Sequence, residues 1–124
     1  MKVVTICDTI DNDGFRQLER SCKYFNLDLE VINAPFEFGG QMKHLYEWCK
    51  NNPGINYIYT DAFDTFFVRD IRTAIVPTCG MLVSAEKNCY PHPEMATRYP
   101  ETKSEWKYVN GGGHISNTDF FCSL

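Results

Sequence analysis

The run Asp61-Ala62-Phe63-Asp64 sets two carboxylates three residues apart, directly after the short apolar stretch Ile55 to Tyr59. If that stretch is a parallel strand, the pair sits at the carboxyl rim of a sheet, where open α/β folds bind their ligands. Carboxylates spaced in this way across a tight turn can converge on one hard cation. Mg²⁺ or Mn²⁺ takes oxygen ligands in an octahedron that substrate phosphates and water complete. The same spacing also fits a plain turn, with Asp61 accepting from backbone donors and Asp64 opening the next turn. By itself the spacing favours that turn.

Three further clusters carry candidate chemistry. In Phe36-Glu37-Phe38-Gly39-Gly40-Gln41-Met42-Lys43, glycines precede a helix start and Lys43 falls in its first turn, which suits a phosphate; a loop with a solvated lysine fits equally. In Tyr108-Val109-Asn110-Gly111-Gly112-Gly113-His114, successive glycines give up side-chain packing, so Gly111 and Gly112 imply a close backbone approach, with a hairpin turn as the alternative. His114 reads as a partly buried structural histidine ahead of a ligand or base. In Ser84-Ala85-Glu86, Glu86 could orient a sugar hydroxyl or act as a base, or else pair with Lys87 or Arg98 at the surface.

Positioning these clusters needs a sheet and its crossovers. Lys2 to Cys7 is apolar and β-branched without alternation, as in a strand covered on both faces. Asp11, Asn12 and Asp13 offer caps to a helix whose stripe is Phe15, Leu18, Cys22 and Phe25, and Leu27 to Ile32 reads as the next strand. Met42, Leu45, Tyr46 and Cys49 make a second stripe, ended by Asn51-Asn52-Pro53-Gly54 before the strand Ile55 to Tyr59. Strand, helix, strand, helix, strand in this order predicts right-handed crossovers and a parallel sheet. Beyond it, Arg69 to Val76 is predicted as a short helix and Met81 to Ser84 as a strand. Pro91 to Pro100 is predicted as a loop with one helical turn, and Lys107 to Asn110 and His114 to Ser116 as two short strands separated by the glycines.

Composition narrows the partners. The chain has 124 residues, 44% hydrophobic and 15% aromatic, enough for a real core with aromatic-walled pockets. A net charge of -4 and the lack of any Lys/Arg run speak against nucleic acid. No membrane-length apolar segment is present, and Met1-Lys2 runs straight into Val3-Val4-Thr5-Ile6-Cys7 without a signal-peptide pattern, so a cytoplasmic location is the default expectation, with a lumenal or secretory one left open. The six cysteines lack metal-site spacing and fall partly on apolar stripes, which predicts buried thiols.

Read in order, Val4-Thr5-Ile6, Gly14-Phe15-Arg16, Tyr24-Phe25-Asn26, Gly39-Gly40-Gln41 and Thr60-Asp61-Ala62-Phe63-Asp64 form an ordered set. Ser84-Ala85-Glu86 with Cys89-Tyr90-Pro91, Tyr99-Pro100-Glu101 and Val109-Asn110-Gly111-Gly112 continue it. This set resembles the glycosyltransferase domain of procollagen lysyl hydroxylases and related collagen glycosyltransferases, which has the GT-A fold.

The resemblance implies an α/β fold with a mostly parallel sheet and flanking helices, the Rossmann-like nucleotide-sugar-binding half of a GT-A fold. It implies that Asp61 and Asp64 bind Mn²⁺ (or Mg²⁺), and that a UDP-sugar is the donor. Phe63 would lie near the base or ribose, and Ile6 and Asp8 would border the same nucleotide. Phe38 would replace an aromatic that stacks on uracil, and Glu86 and Asn110 would lie near the transferred sugar and the acceptor. The family's lysine directly follows the Gly-Gly-Gln run, whereas here Met42 does and Lys43 comes one residue later. Residues 1–124 are expected to form a single domain that corresponds to the donor half of a longer one. The function expected is a metal-dependent glycosyltransferase domain acting on a hydroxyl acceptor, whether glycan, protein or small molecule. A non-catalytic nucleotide-sugar or carbohydrate-binding module is the alternative, and the oligomeric state is not set by the sequence.

Overall fold

Burial of Val3 to Cys7 on both faces makes Lys2–Cys7 an interior strand, β1. The computed structural model describes all 124 residues except Phe36, Phe38, Ile75 and Thr78. Helix α1 (Asp13–Tyr24) starts where the Asn12 side chain accepts from the amides of Gly14 and Phe15, and it buries the predicted stripe Phe15, Leu18 and Cys22. The chain turns through Asn26, at φ 52°, into β2 (Asp28–Asn33). Gly39, in the left-handed region at φ 81°, opens α2 (Gly40–Asn51), which buries Leu45, Trp48 and Cys49. Pro53 and Gly54 then reverse the chain into β3 (Asn56–Thr60).

Two further strands, β4 (Met81–Glu86) and β5 (Tyr108–Asn117), complete a five-stranded sheet of order β2-β1-β3-β5-β4. β1 is parallel to both β2 and β3, while β5 is antiparallel to β3 and to β4. The sheet is therefore mixed, with β5 alone reversed, and the expected α/β architecture with flanking helices is the one observed. Because successive strand residues face opposite ways, β1 feeds two cores. Val4 and Ile6 pack with Tyr57, Tyr59 and the α2 residues Leu45, Trp48 and Cys49, joined by Phe121 of the short α3 (Thr118–Cys122). Val3 packs on the other face with Leu18 and Cys22 of α1, under Phe67 and Ile71. All six cysteines are free, with Cys7, Cys22 and Cys49 buried. Among the described residues no helix is long and apolar enough to cross a membrane.

Three expectations are corrected. Of the expected α2 stripe, Met42 and Tyr46 are exposed, and Trp48 is buried with Leu45 and Cys49. The described residues of the segment from Arg69 to Val76 form no helix, only a turn closed by the Ala74 amide on the Ile71 carbonyl at 2.9 Å. The Asp70 carboxylate accepts from the Arg72 amide at 2.9 Å and from its guanidinium, a local alternative to helical bonding. The stretches from Lys107 to Asn110 and from His114 to Ser116 are likewise not separate strands. β5 runs through the glycines without a turn: Val83 of β4 pairs with His114, yet its neighbour Ser84 pairs with Asn110. Gly111, Gly112 and Gly113 thus form a bulge that has no partner in β4, while Gly113 still pairs with Thr60 of β3. The Pro91 to Pro100 loop does contain its helical turn, a 3-10 helix over Pro93–Arg98.

Helix α1 reaches the end of β3 through Gly14. A Cβ there would overlap the carbonyl oxygen of Phe63 and lie 2.8 Å from its Cα, both backbone atoms that cannot swing aside. Alanine ordinarily stabilises a helix by about 0.5–1 kcal/mol over glycine. Gly14→Ala is expected to reverse that sign and cost about 1–3 kcal/mol through overpacking. Urea denaturation checks it, and an unchanged or raised midpoint would mean that α1 does not press on this turn.

Candidate functional site

The site is built where β1 and β3 end beside the glycine bulge of β5. The Thr5 hydroxyl, fully buried, donates to the Thr60 carbonyl at 2.7 Å and so ties β1 to the last residue of β3. The Asp61 amide donates to the Gly112 carbonyl at 3.0 Å, and Ala62 is buried against Cys7 and Phe15. The turn that carries both aspartates is held from three sides: by the β5 bulge, by β1 and by the first turn of α1.

Two hollows meet at this turn. One, of about 240 Å³, is lined by Asp61, Asp64, Ile6, Asp8, Phe63 and Gln41, among others. The other, of about 360 Å³, is lined by Glu86, Tyr90, Asn110, Gly111 and Gly112 with neighbours, and again by Asp61 and Gln41. Asp61 and Gln41 are therefore the junction. A separate hollow of about 370 Å³ lies against the sheet between Ile58, Phe67, Ile71 and Leu82, and its described lining has no carboxylate.

Burial, and after it the charge of Asp64, pushes the Asp61 carboxyl above the usual carboxylate range. Among the described residues its side chain takes part in no ion pair and accepts no hydrogen bond, so the backbone-capping alternative does not describe Asp61. Asp64 is exposed and, among the described residues, accepts only the Thr65 hydroxyl, at a long 3.5 Å. A half-buried carboxylate beside a second one, with no lysine or arginine paired to either among the described residues, offers oxygen ligands of the kind a hard divalent cation takes. No group of three or more His, Cys, Asp or Glu able to hold a metal occurs among the described residues.

The model of the PLOD GT domain family matches residues 1–122. The chain belongs to that family. Relatives include procollagen-lysine,2-oxoglutarate 5-dioxygenase 2 of Mus musculus, 26% identical over 98% of this chain and 19% of its own length. The multifunctional procollagen lysine hydroxylase and glycosyltransferase of Caenorhabditis elegans is 26% identical over 89% of this chain and 18% of its own. The human protein LH3, of the same description, is 23% identical over 91% and 18%. The chain thus spans about a fifth of the length of these relatives. The resemblance to a glycosyltransferase family is confirmed, whereas neither the fold nor the relatives support the cytoplasmic expectation.

Within this PLOD GT domain member, Ile6, Asp8 and Phe63 share the first hollow with Asp61 and Asp64, and Glu86, Asn110, Gly111 and Gly112 share the second. Lys43 is exposed on α2 and lines neither. Phe38 lies outside the described residues. The surface pair of Glu86 with Lys87 is not formed, because Lys87 bonds Glu105 at 2.7 Å. Gln41 lines both hollows, and its Oε1 accepts the Tyr59 hydroxyl at 3.3 Å. Sequence reasoning passed over it for the charged Lys43. Its place in the first turn of α2, directly after two glycines, was the available signal.

His114 is buried and faces the core. Its Nε2 lies 3.0 Å from the Tyr57 hydroxyl, and its ring stacks on Tyr59 and Phe121 at 5.3 and 5.7 Å. Burial lowers its pKa from 6.5 to about 4, which keeps it neutral and structural. Between those values the unfolded chain binds a proton that the folded protein excludes. Stability therefore rises with pH through this window, and is lost as pH falls from 6.5 toward 4. Asp61, shifted upward, acts in the opposite sense. The comparison with His114→Gln isolates the histidine: unfolding free energies from urea titration should fall more steeply with acid for the wild type than for the variant, by up to about 1.4 kcal/mol per pH unit. Parallel profiles would mean that His114 is already protonated in the fold.

Proposed function

We propose that this chain is the nucleotide-sugar-binding part of a metal-dependent glycosyltransferase, with Mn²⁺ or Mg²⁺ held by Asp61 and Asp64 and a UDP-sugar as donor. The observation that carries the reading is the uncompensated, half-buried Asp61 at the junction of two hollows. When bound, the cation would supply positive charge to the diphosphate as it leaves. The first hollow suits the nucleoside: Phe63 and Ile6 offer apolar walls, and Asp8 offers an acceptor for ribose hydroxyls. Gln41, whose carbonyl side is engaged by Tyr59, retains amide donors for a phosphate or sugar oxygen at the junction. The second hollow suits the sugar and the attacking hydroxyl, with Glu86 as the acceptor for a hydroxyl proton and Asn110 beside it.

A binding module without turnover is the second reading. It is favoured by the gathering of only two carboxylates among the described residues, which leaves most of the coordination shell to ligand oxygens and water. Sugar transfer from UDP-glucose or UDP-galactose to hydroxyl acceptors separates the two readings.

Calorimetric titration with UDP, with and without Mn²⁺, tests the shared claim. Asp61→Asn is expected to weaken Mn²⁺-dependent UDP binding by roughly tenfold or more, about 1.4 kcal/mol. Unaltered affinity in that variant would remove Asp61 from the cation.

A further inference from the structure

The glycines of β5 imply a close approach, and the structure identifies what approaches. A Cβ placed on Gly112 would overlap Oδ2 of Asp61, with Cγ of the same carboxylate at 3.1 Å and Oδ1 of Asn110 at 3.0 Å. At Gly111 a Cβ would meet nothing within 4 Å, and at Gly113 it would meet the Ser84 hydroxyl at 2.8 Å, so the contact with Asp61 belongs to Gly112 and not to the bulge as a whole. Gly112 is itself fixed twice. Its amide donates to Asn110 Oδ1 at 2.8 Å, and its carbonyl accepts the Asp61 amide at 3.0 Å. Backbone and side chain of Asp61 are thus referred to the same residue.

We propose that Gly112 is a positioning residue for Asp61: the missing side chain leaves the space that the carboxylate occupies, and Asn110 holds the glycine in that place. The consequence for cation binding rests on the reading of Asp61 as a ligand. The steric coupling itself does not. Asp61 stands at the end of a short side chain between Ala62, which is buried, and an amide bonded to the bulge, so a methyl group at position 112 can be relieved chiefly by turning the carboxylate. Turning it changes where the Asp61 oxygens stand at the junction of the two hollows, one of them shared with Asp64 and the other lined by Gly112 itself. In this account Asn110 acts through Gly112 as well as lining the second hollow.

Four proteins test this: the wild type, Gly112→Ala, Asp61→Ala and the double variant. Thermal midpoints without metal read the steric coupling. Gly112→Ala should lower the midpoint by about 4 °C or more in the wild-type background. The same change should have a clearly smaller effect in the Asp61→Ala background, where the overlapping oxygen is gone. Gly111→Ala should leave the midpoint unchanged in both. Equal losses in the two backgrounds would overturn the proposal, as would no loss in either. Mn²⁺ affinity, followed by the loss of the free-ion paramagnetic resonance signal, should then fall about 10–100-fold in Gly112→Ala, the range typical when support of a metal ligand is removed. Wild-type affinity in a folded Gly112→Ala protein would overturn its role at the cation. A wild type that binds no Mn²⁺, even with UDP, would sink the cation reading instead, and the midpoint cycle would still judge the coupling.

Discussion

A carboxylate half withdrawn from water, next to another carboxylate and without a cationic partner among the described residues, is the constraint on which this structure turns. Removing charge from water costs free energy unless it is paired or hydrogen-bonded. Elsewhere the chain meets that cost directly: Glu30 at the sheet edge is met by Lys2 and by the Trp48 indole, the latter at 2.6 Å. Asp61 receives no such partner among the described residues, and its pKa is raised accordingly. A fold that supports this arrangement carries a local penalty that an added divalent cation would relieve.

The scaffold around Asp61 is correspondingly stiff. Thr5, Gly14 and Gly112 hold the turn from three different elements, and Ala62 within it is buried against Cys7 and Phe15. Glycine in a helix or strand ordinarily weakens it. At Gly14 and Gly112 that weakness is offset by close approach: one lets α1 press on the backbone of Phe63, and the other leaves the Asp61 carboxylate its space. The reversal of β5 brings this about, since an antiparallel neighbour of β3 delivers its bulge to the same rim where β1 and β3 end.

His114 and Asp61 show two outcomes of burying a titratable group. His114 has a hydroxyl partner and aromatic faces, so burial simply keeps it neutral and it becomes part of the core. Asp61 lines hollows on both sides, where a ligand can reach it. Both residues read as polar letters near glycine or aromatic neighbours. Only their surroundings in the fold separate a packing residue from a candidate ligand.

Much of this architecture was legible in the sequence, because periodicity and caps act locally. The stripe of α1, the unbroken apolar β1 and the carboxylates directly after β3 all follow from residue spacing, and the ordered motifs led to the right family; of the α2 stripe only Leu45 and Cys49 are buried, with Trp48 taking the place expected for Met42 and Tyr46. The errors arose where local signals compete with distant ones. Asp70 bonded Arg72 in place of a helix, and three glycines that resemble a turn continue a strand because β3 pairs beside them. Gln41 outranked Lys43 at the hollows for the same reason: charge is visible in the sequence, but direction on a helix and proximity to Tyr59 are not. The chain alone determined which residues could carry charge to the sheet's rim. Tertiary packing decided which of them lost their water without finding a partner, since burial depends on residues far apart in sequence.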